Sequence, residues 1–163
     1  MHVRCLLSQF IRDLGRFPVA ISDESPWRVV NRIGDLVRTA LGALPGEFEL
    51  RSAEVAVHRS AAVAGSAVLT GPVIVSAGCR IGPGAVLRGR VWADEDVTIG
   101  PNSEIKSSLI FAGSAAAHRN YAGDSVIGRN INLEAGAVLA NISTSARTRR
   151  SSCWPPSRSS RRA

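Results

Sequence analysis

Val73-Ile74-Val75-Ser76-Ala77-Gly78-Cys79-Arg80-Ile81-Gly82-Pro83-Gly84-Ala85-Val86-Leu87-Arg88-Gly89-Arg90-Val91-Trp92-Ala93 repeats one short pattern. Val75, Ile81, Leu87 and Ala93 fall six residues apart, and two residues before each stands Val73, Cys79, Ala85 or Val91. Small or apolar residues separated by a single position give the alternation of a strand buried on one side. Between the pairs stand Gly82-Pro83-Gly84 and Arg88-Gly89-Arg90, which are turn formers or solvated charges. Short strand and tight corner at a six-residue period read as a parallel β-helix, in which each strand stacks on its counterpart one coil later.

Carried outward at the same stride, the apolar comb runs from Val57 through Val63 and Leu69 to Ile99, Ile105 and Phe111. Chance gives such an unbroken run at roughly one in a thousand. The companion positions, from Val55 through Val97 and Ser103 to Leu109, are small or apolar as well. At Ala117 the comb stops and resumes as Ile127, Leu133 and Leu139, a step of ten. That step predicts four extra residues around His118-Arg119-Asn120-Tyr121 and a loop projecting from the prism, a common place for chemistry.

Upstream, Ser25-Pro26 followed by Trp27, Val30, Ile33, Val37, Leu41 and Leu44 predicts an N-capped amphipathic helix ending near Gly46. Its apolar stripe is expected to close the open N-terminal end of the array. Downstream, residues 143–163 hold Ser, Arg and Pro without apolar periodicity and are predicted to be disordered. The expected organisation is a mainly-β fold with a helical cap over 1–46, a β-helix over 47–142 and a tail over 143–163.

The 163 residues carry 20 Lys+Arg against 13 Asp+Glu, a net charge of +7, but six of the arginines lie in residues 143–163. Residues 1–142 are nearly neutral, so a nucleic-acid partner is not expected. Cys5, Cys79 and Cys153 form no CxxC pair, in keeping with a reduced, cytoplasmic setting. Arg12 and Asp13 interrupt any signal-peptide core, and glycines break the uncharged stretch from Ser60 to Cys79, so no membrane partner is expected. The histidines are His2, His58 and His118, and with His2 outside the array a three-histidine zinc site across neighbouring coils is not expected. No phosphate loop or dinucleotide fingerprint is present.

The polar residues that remain as candidates are Arg88, Glu104, Lys106, His118, Tyr121 and Asn132, with Lys106 the only lysine and Tyr121 the only tyrosine. The run His118-Arg119-Asn120-Tyr121-Ala122-Gly123-Asp124-Ser125-Val126-Ile127-Gly128 continues as Asn130-Ile131-Asn132-Leu133-Glu134-Ala135-Gly136 and closes at Ala140-Asn141. It resembles the H-x-x-Y-x-G-D-x-x-I-G…N-[IL]-G-A-G…N segment of the bacterial glucosamine-1-phosphate acetyltransferase domain. It is closer still to the C-terminal β-helix of sugar-1-phosphate nucleotidyltransferases, including glucose-1-phosphate thymidylyltransferase-like proteins. The resemblance extends upstream through Glu104-Ile105-Lys106 and Leu87-Arg88.

The resemblance implies a left-handed β-helix assembled as a homotrimer, and acetyl-CoA-dependent N-acetyl transfer to an amino-sugar phosphate without a metal. It implies that His118 is the general base for the substrate amine, a role suited to imidazole near neutral pH. It implies Arg88 and Lys106 for the substrate phosphate. Glu104, Tyr121 and Asn132 would bond the sugar, Ala135 and Asn141 would meet coenzyme A, and Gly123 and Asp124 would shape the loop. Two departures stand out: Glu134 occupies a position where the family has glycine, and the pattern stops at Asn141. The alternatives are a non-catalytic trimerisation or regulatory module of a sugar-1-phosphate nucleotidyltransferase, and a nonfunctional truncated product.

Overall fold

The structure, a computed structural model, describes residues 5–140. Among the described residues sixteen short strands wind into three faces. The first face runs β1 (Phe48–Ser52), β2 (Val55–His58), β5 (Val73–Val75), β8 (Val91–Ala93), β11 (Leu109–Ile110), β14 (Val126–Ile127). The second runs β3 (Ala62–Val63), β6 (Arg80–Ile81), β9 (Thr98–Ile99), β12 (Ala115–Ala116), β15 (Asn132–Leu133). The third runs β4 (Val68–Thr70), β7 (Val86–Arg88), β10 (Glu104–Lys106), β13 (Tyr121–Gly123), β16 (Val138–Leu139). Among the described strands β1 is antiparallel to β2, and the others pair in parallel with strands one coil away. This is the parallel β-helix that the hexapeptide period predicts.

The comb holds as far as Ile105. Val57, Val75, Ile81, Leu87, Ala93, Ile99 and Ile105 are buried in one axial core, with Val63 and Leu69 packed against it. Beyond that point Ile110, Ala116, Ala122 and Ile127 fill the inward positions, whereas Phe111 and Leu109 belong to a second core outside the prism. Register gives the cause: Val73 pairs with Val91, eighteen residues on, but Trp92 pairs with Leu109, seventeen on. The corners after β10 and β13 are each one residue short. Residues with positive φ mark the same slip, falling at Asp96, Asn102, Ser107, Gly113, Arg119, Asp124 and Asn130. The expected four-residue insertion at 118–121 is therefore absent, and His118 sits in an ordinary corner between β12 and β13. A fixed stride of six, run past the two five-residue steps from Ile105 to Ile110 and from Ala122 to Ile127, mimics an insertion.

In the later coils Ser103 and Ser114 are buried, and each is hydrogen-bonded to the neighbouring coil or corner. Ser103 Oγ donates to Ala116 O at 3.1 Å and accepts from Asn120 N–H at 3.1 Å. Ser114 Oγ donates to Gly128 O at 2.6 Å and accepts from Ile131 N–H at 3.0 Å. Buried hydroxyls satisfied in both roles avoid the desolvation cost of orphaned ones.

The helix α1 (Pro26–Leu41) lies against the first face, not across the open end of the prism. The reason is an apolar column on the outside of that face, where Ala56, Ile74, Trp92, Leu109 and Val126 align in register. Val29, Ile33, Leu36, Val37 and Ala40 of α1 are buried, and Leu7, Ile11 and Phe17 complete the layer, with Phe17 and Phe111 edge-on to Trp92 at 5.0 and 5.1 Å. Burying so broad an apolar surface outweighs closing one coil end. The helix begins at Pro26 after Ser25, whose side chain makes no capping bond, and ends at Leu41 with Gly42 as C-cap, short of Gly46. Arg16 fastens the N-terminal segment, its Nε 2.6 Å from Asp94 Oδ2 and an Nη 2.8 Å from Glu95 Oε2. No helix among the described residues is long and apolar enough to cross a membrane. His2, Asn141, Cys153 and the tail of residues 143–163 lie outside the described residues.

Candidate active site

Seventeen-residue coils stack Pro101, His118 and Ala135 at one corner between the second and third faces. There Pro101, Asn102, Ala117, His118, Arg119, Ala135 and Gly136 line an open groove of about 560 Å³. The His118 backbone is fixed on both sides: its N–H donates to Asn120 Oδ1 at 2.9 Å, and its carbonyl accepts from Gly136 N–H at 2.9 Å. Asn120, 2% exposed, also donates from Nδ2 to Glu134 O at 2.6 Å. One buried amide thus ties two coils together beneath an exposed imidazole. The sequence places Asn120 in an inserted loop, whereas the structure puts it at an inward position, where the shortened frame brings it under Glu134 of the next coil.

On the third face register places Glu104 beside Tyr121, and Lys106 between Arg88 and Gly123. Arg88 Nε donates to Glu104 Oε1 at 2.5 Å, and Lys106 Nζ to Asp124 Oδ2 at 3.1 Å. The Arg88 guanidinium is held above its ordinary value, chiefly by the hydrogen bond to Glu104, with Tyr121 and Asp124 adding through space. Asp124, at φ +50, also donates its N–H to Lys106 O, so it is anchored to this lysine twice. Asp124 therefore adds a carboxylate to the polar face besides its place in the corner. A Cβ on Gly123 would lie 2.7 Å from Tyr121 Oη, so the phenol lies over that glycine.

Four predicted residues, Arg88, Glu104, Lys106 and Tyr121, share this face, and His118 stands at its edge three residues before Tyr121. Ala135 lines the groove. Asn132 is on β15 in the second face, where its Nδ2 donates to Glu134 Oε1 at 3.2 Å, away from the Arg88 and Lys106 face. His58 is elsewhere, edge-on to Phe48 in the first coil with Ser60 Oγ 2.8 Å from Nδ1. Among the described residues no group of three or more His, Cys, Asp or Glu side chains could hold a metal. The small residues Ala117, Ala135 and Gly136 leave the groove wall low, a Cβ on Gly136 would meet nothing within 4 Å, and Arg119 supplies an exposed cation. Those features fit a long thioester carrying phosphates.

Fold and corner together define a hexapeptide-repeat parallel β-helix with a histidine-bearing groove. No family model matches the sequence. The chain is similar to the Bifunctional protein GlmU of Nitrosospira multiformis, 44% identical over 63 residues, which is 39% of this chain and 14% of that protein. With the Bifunctional protein GlmU of Methylococcus capsulatus it shares 42% identity over 88 residues, 54% of this chain and 19% of the relative. The chain thus spans less than a fifth of the length of these curated relatives. Among solved structures, the acetyltransferase domain of PglB from Neisseria gonorrhoeae aligns with a TM-score of 0.38 at 21% identity, over 66% of this chain and 60% of that one.

Proposed function

We propose that this protein transfers an acetyl group from acetyl-CoA to the amine of an amino-sugar phosphate. The observation that carries the reading is His118, set exposed over the corner groove at the edge of a face that gathers Arg88, Glu104, Lys106 and Tyr121. The similarity of the array to Bifunctional protein GlmU supports it. Acetyl-CoA supplies the acetyl group as an activated thioester, and Ala135, Gly136 and Arg119 would hold it along the groove. His118 takes the proton from the attacking amine at an imidazole nitrogen. Arg88 and Lys106 orient the phosphate, while Glu104 and Tyr121 bond the sugar. A cytoplasmic homotrimer belongs to the same reading, with Asn132, on another face, serving the site of a neighbouring copy.

The test is acetyl transfer to glucosamine-1-phosphate. Activity should fall at least about a hundredfold in His118→Ala, the ordinary size of a general-base contribution, while coenzyme A binding measured by calorimetry persists. Unchanged turnover in that variant would remove His118 from the mechanism. A second reading, a non-catalytic assembly module, is favoured by one observation: both cations of the third face already hold carboxylate partners. Absence of coenzyme A binding by the intact chain would select it.

A further inference from the structure

We propose that Gly123 is a positioning residue: it leaves the space in which the Tyr121 phenol reaches the column of Arg88 and Lys106, completing a receptor for a phosphate monoester. The inference rests on the phosphate role given above to those two cations, and it turns the Tyr121 hydroxyl, given above to the sugar, towards the phosphate. Gly123 is buried, and it is not among the residues with positive φ, so its backbone conformation does not call for glycine. Space does. A Cβ there would stand 2.7 Å from Tyr121 Oη and 3.1 Å from Cε1 and Cζ, all atoms at the far end of one side chain.

Register makes the consequence specific. Tyr121 springs from the column of Val86 and Glu104, whereas Gly123 stands in the column of Arg88 and Lys106. By lying over Gly123, the phenol carries its hydroxyl from the first column into the second. The cations there are tied to Glu104 and Asp124, whose charges repel a phosphate as well as hold the cations in place. A phenol adds a neutral donor and no further repulsion. A Cβ at position 123 meets the far end of the Tyr121 side chain first, an obstacle that can swing aside, so alanine displaces that donor at small cost to the fold.

Tyr121 is the only tyrosine, so protein labelled with ring-¹³C tyrosine gives one set of ring signals to follow. Inorganic phosphate and glucosamine-1-phosphate should each shift those signals saturably in the native chain. In Gly123→Ala the signals of the free protein move, phosphate affinity falls about tenfold, equivalent to about 1.4 kcal/mol, and the melting temperature stays within a few degrees. In a Tyr121→Ala background, Gly123→Ala should change phosphate affinity no further when read by calorimetry. Equal weakening in both backgrounds, or a Gly123→Ala protein indistinguishable from the native one, overturns the proposal. So does a native chain that binds neither phosphate. Phosphate binding that obeys this pattern in a chain without acetyl transfer upholds the positioning role and removes the enzymatic reading alone.

Discussion

Gly100 shows how little room separates successive coils. A Cβ on Gly100 would lie 1.7 Å from the carbonyl oxygen of Ala117, a backbone atom of the next coil that cannot swing aside. Gly100→Ala should therefore cost at least about 2 kcal/mol, since the stack must open locally to admit one methyl group. Gly65 is the control: nothing lies within 4 Å of its Cβ position and its φ is not positive. There alanine should be neutral or stabilise by up to about 1 kcal/mol through the unfolded chain. Urea midpoints of the two variants decide the matter, and equal shifts would refute the close-approach argument. The two glycines look alike in sequence, each beside a corner of the array. What separates them is the neighbouring coil, seventeen residues away. His118 and Tyr121 were legible because their spacing is local, whereas the role of Asn120 depends on Glu134 one coil later.

Elements repeat that contrast between local and stacked information. The helix α1 could be read from its own stripe of Val30, Ile33 and Val37, but its partner could not. The column it covers recurs at Ala56, Ile74, Trp92, Leu109 and Val126, a stride far longer than any helical or strand period. The N-terminal segment is held over this column by Arg16, whose partner Asp94 is 3% exposed and also accepts from Ala112 N–H at 3.1 Å. Removing the guanidinium leaves a buried carboxylate without its counter-charge. Arg16→Ala should destabilise the protein by about 3 kcal/mol, and Trp92→Ala by about 3–5 kcal/mol through lost packing. Both are read from urea denaturation. If the segment is only loosely attached, Arg16→Ala will leave the midpoint unmoved and the clip will have no energetic meaning.

For the whole molecule, the hexapeptide comb revealed the architecture but not its change of pitch. Phe111 satisfied the comb by being apolar for another reason, its packing against Trp92, so apolarity alone could not expose the slip to seventeen residues per coil. The turn formers do expose it: Asn102, Gly113, Asp124 and Asn130 keep step with the corners where the apolar residues do not. Stacking also makes each interior group a reporter on global unfolding. Cys79, fully buried in the axial core, has its thiol pushed up to about 12 by burial, against an ordinary value of 9.0. In the unfolded chain the thiol ionises near 9 while the folded chain keeps its proton, so the unfolded state binds fewer protons and stability falls as pH rises from about 9 towards about 12. Each unit of difference corresponds to about 1.36 kcal/mol. Cys79 alone should therefore withdraw about 2–3 kcal/mol of stability between pH 8 and pH 11. Urea denaturation across that range, compared with Cys79→Ala, isolates the contribution because every other titrating group is common to both chains. The native chain should lose stability more steeply than the variant, and parallel pH profiles would mean that Cys79 is not sealed in the core.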